Sequence, residues 1–254
     1  MAILEVSDLV FPAFNKAAME KLPEEYGIEI FYEFGSNSYW NAVLRRMGAS
    51  KRPLSLHGPC VTVNLAEMKD TAYLKRYKKT FAYAKKAGAS HVVVHTNEGW
   101  HGDAAVCRQL VIRRLHKIER LAEDIDGAQM VIENVGLKQN NLFDEEAYIA
   151  LFNEFQTAGA IIDVGHAHVN GWNICRVIEA LNGRIKAFHL QDNGGEADEH
   201  LPLFAGTVDW PAIIAAVKQY APQATLVFEY ANGNYEKADD LVRDLDIVRE
   251  RLGI

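Results

Sequence analysis

The feature that most constrains this chain is an alternation: a short apolar, β-branched run is followed by a stretch with helical spacing, and the pair recurs along the whole length. The apolar runs fall at 3–11, 28–32, 54–57, 91–95, 130–133, 160–163, 185–190 and 225–229. Between them, apolar residues at three- and four-residue spacing predict helices at 72–87, 104–124, 144–155, 174–181, 211–219 and 235–252, with weaker ones at 15–22 and 39–47. Runs this uniformly apolar belong to strands buried on both faces, which is the habit of parallel sheets. About eight strand–helix units in 254 residues predict an α/β fold of the (β/α)8 TIM barrel type, as a single domain spanning 1–254. An open doubly wound sheet is the rival, but no GxGxxG follows the first run and no Walker A motif occurs.

Local chemistry supports the boundaries. Asp144-Glu145-Glu146 reads as an N-cap with an acidic first turn. Asp209 ahead of Pro211 reads as another helix start, and Gly88, Gly127 and Gly183 stand just past helix ends.

The ends of the apolar runs carry the chemical information. The seventh run, Lys186-Ala187-Phe188-His189-Leu190, ends near a histidine and opens into a loop bearing Asp198-x-His200. The third ends in His57, the fourth in His95, the fifth in Glu133-Asn134, the sixth in Asp163-x-x-His166, and the eighth in Glu229. In a barrel these ends converge on one mouth, where active sites form. A single strand-end His or Glu is usually a hydrogen-bonded rim residue or a helix cap. Six consecutive strands with imidazole or carboxylate ends, and no Lys or Arg among those ends, are different: burying such a set without a cation carries a large desolvation cost. A divalent metal is the simplest compensation, and mixed imidazole and carboxylate ligands favour Mn2+ or Zn2+ over Mg2+.

The net charge of −7 argues against nucleic acid as a partner, since phosphate binding normally needs basic faces. The acidic segment 196–199 points the same way; only Arg45, Arg46, Lys51 and Arg52 form a basic group, suited to a solvated patch or a sugar phosphate. Cys60, Cys107 and Cys175 show no CxxC spacing, which fits reduced thiols and a cytoplasmic protein. The amino terminus lacks a basic leader region, and no apolar run is long enough to cross a membrane. The oligomeric state is left open, a homo-oligomer included.

With these residues in place, the chain resembles the xylose isomerase-like barrel superfamily of sugar isomerases and epimerases, which has endonuclease IV as a distant branch. The resemblance covers strands three to eight. It implies one divalent metal held by Glu133, Asp163, His189 and Glu229, with His166 meeting the substrate. Asp198-x-His200 followed by Gly206-Thr207-Val208-Asp209 is similar to the loop after strand seven in many members. The expected activity is isomerisation or epimerisation of a small sugar or sugar phosphate, by proton transfer through a metal-stabilised enediolate. Glu133 and Glu229 serve as acid and base on opposite faces of the substrate, and His57, His95 and His200 line the pocket. Trp40, Trp100 and Trp172 fall in loops, where they either pack on a sugar's apolar face or anchor the loops. The alternative is an endonuclease IV-like phosphodiesterase with three metals, for which His57, His95, Glu133, Asp163, His166, His189, Asp198, His200 and Glu229 are candidate ligands. A dehydratase of a cyclic polyol and a non-catalytic metabolite-binding barrel complete the readings.

Overall fold

The computed structural model describes residues 3–14 and 22–254. In it, eight parallel strands pair in chain order and close into a barrel. They are β1 (Leu4–Ser7), β2 (Gly27–Phe31), β3 (Leu54–His57), β4 (His91–His95), β5 (Gln129–Glu133), β6 (Gly159–Asp163), β7 (Ile185–Leu190) and β8 (Thr225–Phe228). The helices are α1 (Asn37–Arg46), α2 (Tyr73–Ala87), α3 (Ala104–Ile125), α4 (Glu145–Leu151), α5 (Val164–Val169), α6 (Ile174–Ala180), α7 (Trp210–Tyr220) and α8 (Ala238–Leu252). The expected helix at 15–22 lies, apart from Leu22, outside the described residues.

Strand alternation sorts the side chains into two cores. Leu4, Val6, Ile28, Ile30, Leu56, Val92, Val94, Ile132, Ile162, Phe188 and Phe228 join the main cluster between strands and helices. Val93, Val131, Ile161 and Ala187 form a separate cluster inside the barrel. These four sit two residues before His95, Glu133, Asp163 and His189, so the donors stand on an apolar floor.

One irregularity sets the site. Ala160 pairs with Ile185 but Ile161 pairs with Ala187, so the exposed Lys186 is an extra residue in β7. A one-residue offset reverses which face every later side chain meets. The offset brings His189 opposite Asp163. Gly159 leaves the space: a Cβ there would collide with the Lys186 side chain.

Several boundaries differ from expectation. β1 stops at Ser7 rather than at 11, because the buried Asp8 carboxylate accepts the N–H groups of Ala13 and Phe31, both at 2.8 Å, and turns the chain. α3 closes on Asp126 in the left-handed region (φ 53), one residue before Gly127. Gly127 is needed instead for close approach to Lys85. Asp144 and Asp209 cap α4 and α7 as expected, accepting from Ala147 and Ala212. α5 starts directly on β6, with Asp163 as its cap.

Candidate metal centre

Five imidazoles meet at the carboxyl ends of the strands, each tethered through one ring nitrogen. His57 Nδ1 lies 2.9 Å from the Gly58 carbonyl and His95 Nδ1 2.6 Å from Glu98 Oε1. His166 Nδ1 lies 3.1 Å from the Asn134 carbonyl and His200 Nδ1 2.8 Å from the Glu229 carbonyl. His189 is tethered the other way round, with Nε2 3.1 Å from Glu29 Oε1. An acceptor oxygen fixes a proton on the tethered nitrogen and leaves the second nitrogen to face a cation, the arrangement of a metal-ligating histidine.

These second nitrogens gather with carboxylates into three groups. His57 Nε2 and His95 Nε2 are 3.1 Å apart, and lie 3.6 and 3.0 Å from Glu133 Oε2. His189 Nδ1 is 3.5 Å from Glu133 Oε1, 3.9 Å from Asp163 Oδ2 and 3.5 Å from Glu229 Oε2. His166 Nε2 and His200 Nε2 are each 3.2 Å from Asp198 Oδ2. Donors held about 2.1 Å from a zinc ion lie roughly 3.0–3.5 Å from one another, so these spacings fit divalent cations. Among the described residues, Asp163 Oδ2 and His189 Nδ1 are buried without a hydrogen-bond partner. Such atoms are costly to bury unless something else satisfies them. Glu133 faces the first group with one oxygen and the second with the other. Glu133, Asp163 and His189 therefore stand close enough to hold one cation, Glu229 stands 3.5 Å from the same His189 nitrogen, and the other two groups offer positions for two more.

Without a cation, protons balance the charge. Burial opposes a charged His95, yet the Glu133 and Glu98 carboxylates carry its pKa up to about 10. Burial likewise opposes His200, but its hydrogen bond to Asp198 and the charge of Glu229 raise it to about 9. His166 and His189 are also held well above the usual range against their burial, by Asp163 and Glu229 foremost. Burial raises Glu133, but His95 and His189 override it and leave the carboxyl well below its ordinary value. Burial pushes Glu229 and Asp163 upward, with neighbouring histidines offsetting part of the effect.

The loop after β7 is built to deliver Asp198 and His200. Asp192, fully buried, accepts the N–H groups of Asn193, Phe204 and Val208 and the indole N–H of Trp210. Its backbone pairs with Leu201 in both directions at 2.9 Å. His200 is held at φ 47, a left-handed conformation that costs a non-glycine residue energy and marks a position imposed by its surroundings. Gln191 donates to Asp198 Oδ1 at 2.7 Å and to Asp163 Oδ1 at 3.3 Å, tying two groups together. Gly165 is what admits it, since a Cβ there would overlap the Gln191 amide.

The sequence-derived candidates Glu133, Asp163, His166, His189, Glu229, His57, His95 and His200 all meet here. The three tryptophans do not. Trp40 lies within α1, fully buried, and donates to the Tyr32 carbonyl. Trp172 packs on Tyr148 with ring centroids 5.6 Å apart, an anchor rather than part of the cleft lining. Trp100 borders a different hollow beside His101 and Cys107. The basic group is also elsewhere: Arg46 and Arg52 donate to carbonyls of Ala13, Phe14, Leu22, Pro23 and Tyr26, bracing the β1–β2 connection. Reading strand ends overlooked Glu29, the tether of His189. Its signal was a lone carboxylate at an inward position of the apolar run Gly27-Ile28-Glu29-Ile30-Phe31. Cys60 was overlooked as well; its thiol lies beside His57 and His95 and donates to Glu33.

The cleft above the groups measures about 360 Å³. Leu9, Phe31, Val135 and Leu137 give it an apolar wall, and Asn97 and Asn140 a polar one. No Lys or Arg lines it among the described residues.

Fold and site together define a (β/α)8 barrel with a histidine–carboxylate centre at the carboxyl ends of its strands. The chain belongs to the xylose isomerase-like TIM barrel family, whose description matches residues 18–251. The uncharacterised protein y4fM of Sinorhizobium fredii is 26% identical over 166 residues, covering 62% of this chain and 52% of that protein, so the chain spans about half the length of that relative. A solved D-tagatose 3-epimerase-like protein superposes with a TM-score of 0.80 at 19% identity, covering 98% of this chain and 99% of the other. The 3-keto-D-glucoside 4-epimerase YcjR of E. coli superposes at 0.79 with 14% identity, covering 98% and 100%. These likenesses establish a shared fold. No helix among the described residues is long and apolar enough to cross a membrane.

Proposed function

We propose that the protein is a divalent-metal-dependent isomerase or epimerase of a small sugar. The observation that carries this reading is the placement of Glu133 and Glu229. They come from β5 and the end of β8, each stands 3.5 Å from His189 Nδ1, and both line the cleft. A cation bound by Glu133, Asp163, His189 and Glu229 supplies Lewis acidity and a template for two neighbouring substrate oxygens. Glu133 and Glu229 then take a proton from the carbon beside the carbonyl and return one from the other side. His166 and His200 orient hydroxyl groups. The lining without Lys or Arg favours a neutral sugar over a sugar phosphate, and the free thiols fit the cytoplasm. The fold shared with a D-tagatose 3-epimerase-like protein and a 3-keto-D-glucoside 4-epimerase supports the reading.

The test is incubation with a panel of ketoses, with Mn2+ or Zn2+, in deuterated water. Epimerisation with deuterium entering the reacting carbon, abolished in Glu133→Gln and Glu229→Gln, is the expected result. Turnover without exchange would point to hydride transfer and remove the proposed roles.

A second reading, a phosphoester hydrolase with three cations, is favoured by one observation: His57 with His95, and His166 with Asp198 and His200, form further donor groups. Cations there would activate water and neutralise a leaving oxygen. Three metals per chain, with hydrolysis of a phosphoester and no ketose turned over, would put this reading first.

A further inference from the structure

We infer that Glu29 is the positioning residue of the centre: by accepting the Nε2–H of His189 it selects the tautomer in which bare Nδ1 faces the cation site. The inference rests on the metal-site reading of Glu133, Asp163, His189 and Glu229.

Glu29 projects inward from β2, fully buried, and its Oε1 lies 3.1 Å from His189 Nε2. The opposite edge of the ring carries Nδ1, buried and without a hydrogen-bond partner, facing three carboxylates. The ring cannot present both nitrogens to the cation, so the tether decides which one is offered. Glu29 is itself supported from below. Ser55 Oγ lies 3.1 Å from Glu29 Oε2 and also bonds Glu5 Oε2. All three are buried. Burial pushes the Glu5 carboxyl up to about 8, so near neutral pH it keeps a proton. Every contact then has a direction: Glu5 donates to Ser55, Ser55 donates to Glu29, and His189 donates to Glu29 from the other side. A carboxylate gripped at both ends holds an imidazole ring in one orientation, and loss of such a partner typically weakens metal affinity about 10–100-fold.

The experiment compares wild type with Glu29→Leu, Glu29→Gln and Glu5→Gln, measuring zinc affinity by chelator competition and, by 15N-histidine NMR of the zinc-loaded protein, which His189 nitrogen keeps its proton. The wild type is expected to show Nε2–H at His189. Glu29→Leu should lose that preference and bind zinc at the central group about 10–100-fold more weakly. Glu29→Gln, whose amide oxygen still accepts, should keep the tautomer with a smaller loss of affinity, which keeps the inference testable should the leucine variant not fold. Glu5→Gln, which can still bond Ser55, should change neither. A wild-type Nδ1–H tautomer, an unchanged tautomer and affinity in folded Glu29→Leu, or an equal loss in Glu5→Gln would overturn the inference. Failure of the metal-site reading would look different: no zinc bound in any variant, wild type included.

Discussion

Loading the centre with zinc should expel protons, and their number reports how many groups are filled. In the metal-free protein His95 titrates at about 10 and His200 at about 9, while His166 and His189 sit well above the ordinary imidazole range. Near neutral pH all four rings therefore carry a second proton, which must leave before a nitrogen can bind a metal. Filling only the central group displaces the His189 proton, about one per chain. Filling all three groups also displaces those of His95, His166 and His200, about four per chain. Burial pushes Asp163 and Glu229 upward, so any proton they hold adds to either count. The sign follows: apparent affinity rises with pH, by roughly tenfold per unit for each proton released. Titration calorimetry of chelator-stripped protein in two buffers of different ionisation enthalpy gives the proton count directly. A count near zero at saturating zinc would mean that the rings were already neutral, and would refute the charge pairing between them and Glu133, Asp198 and Glu229.

Three further outcomes are expected. Stability of the metal-free protein should fall as pH rises from 6.5 towards 10, because His95 and His200 are raised from 6.5 to about 10 and 9 and their stabilisation is lost as those protons leave; thermal melts across this range check it, and a Tm that rises throughout would contradict it. Asp163→Ala removes both the α5 cap and a candidate metal donor, whereas Asp163→Asn retains an oxygen for the His166 N–H; the alanine variant should be about 0.5–2 kcal/mol less stable than the asparagine one when metal-free, by denaturant unfolding. Asp192→Ala strips four donors of their acceptor and frees the loop after β7, so any zinc taken up at His166, Asp198 and His200 should be lost before zinc at the central group, read by metal stoichiometry.

What the sequence determined by itself was whatever depends on neighbours a few residues away. Strand and helix each impose a period, so eight apolar runs with helical stretches between them already imply a parallel barrel, and a donor at the end of a run already implies the mouth. Asp144 and Asp209 were legible for the same reason: a cap acts on its own first turn. Tertiary structure decided what depends on residues far apart. Glu29 is a single carboxylate in an apolar run until the closed barrel sets it against His189, 160 positions along the chain. Trp40 and Trp172 have aromatic faces suited to a sugar, yet packing turns them onto Tyr32 and Tyr148. The extra residue Lys186, which puts His189 opposite Asp163, exists only as a difference in register between two strands. Periodicity is written along one strand, whereas register, tautomer and contact are relations between strands, and closing the barrel is what creates them.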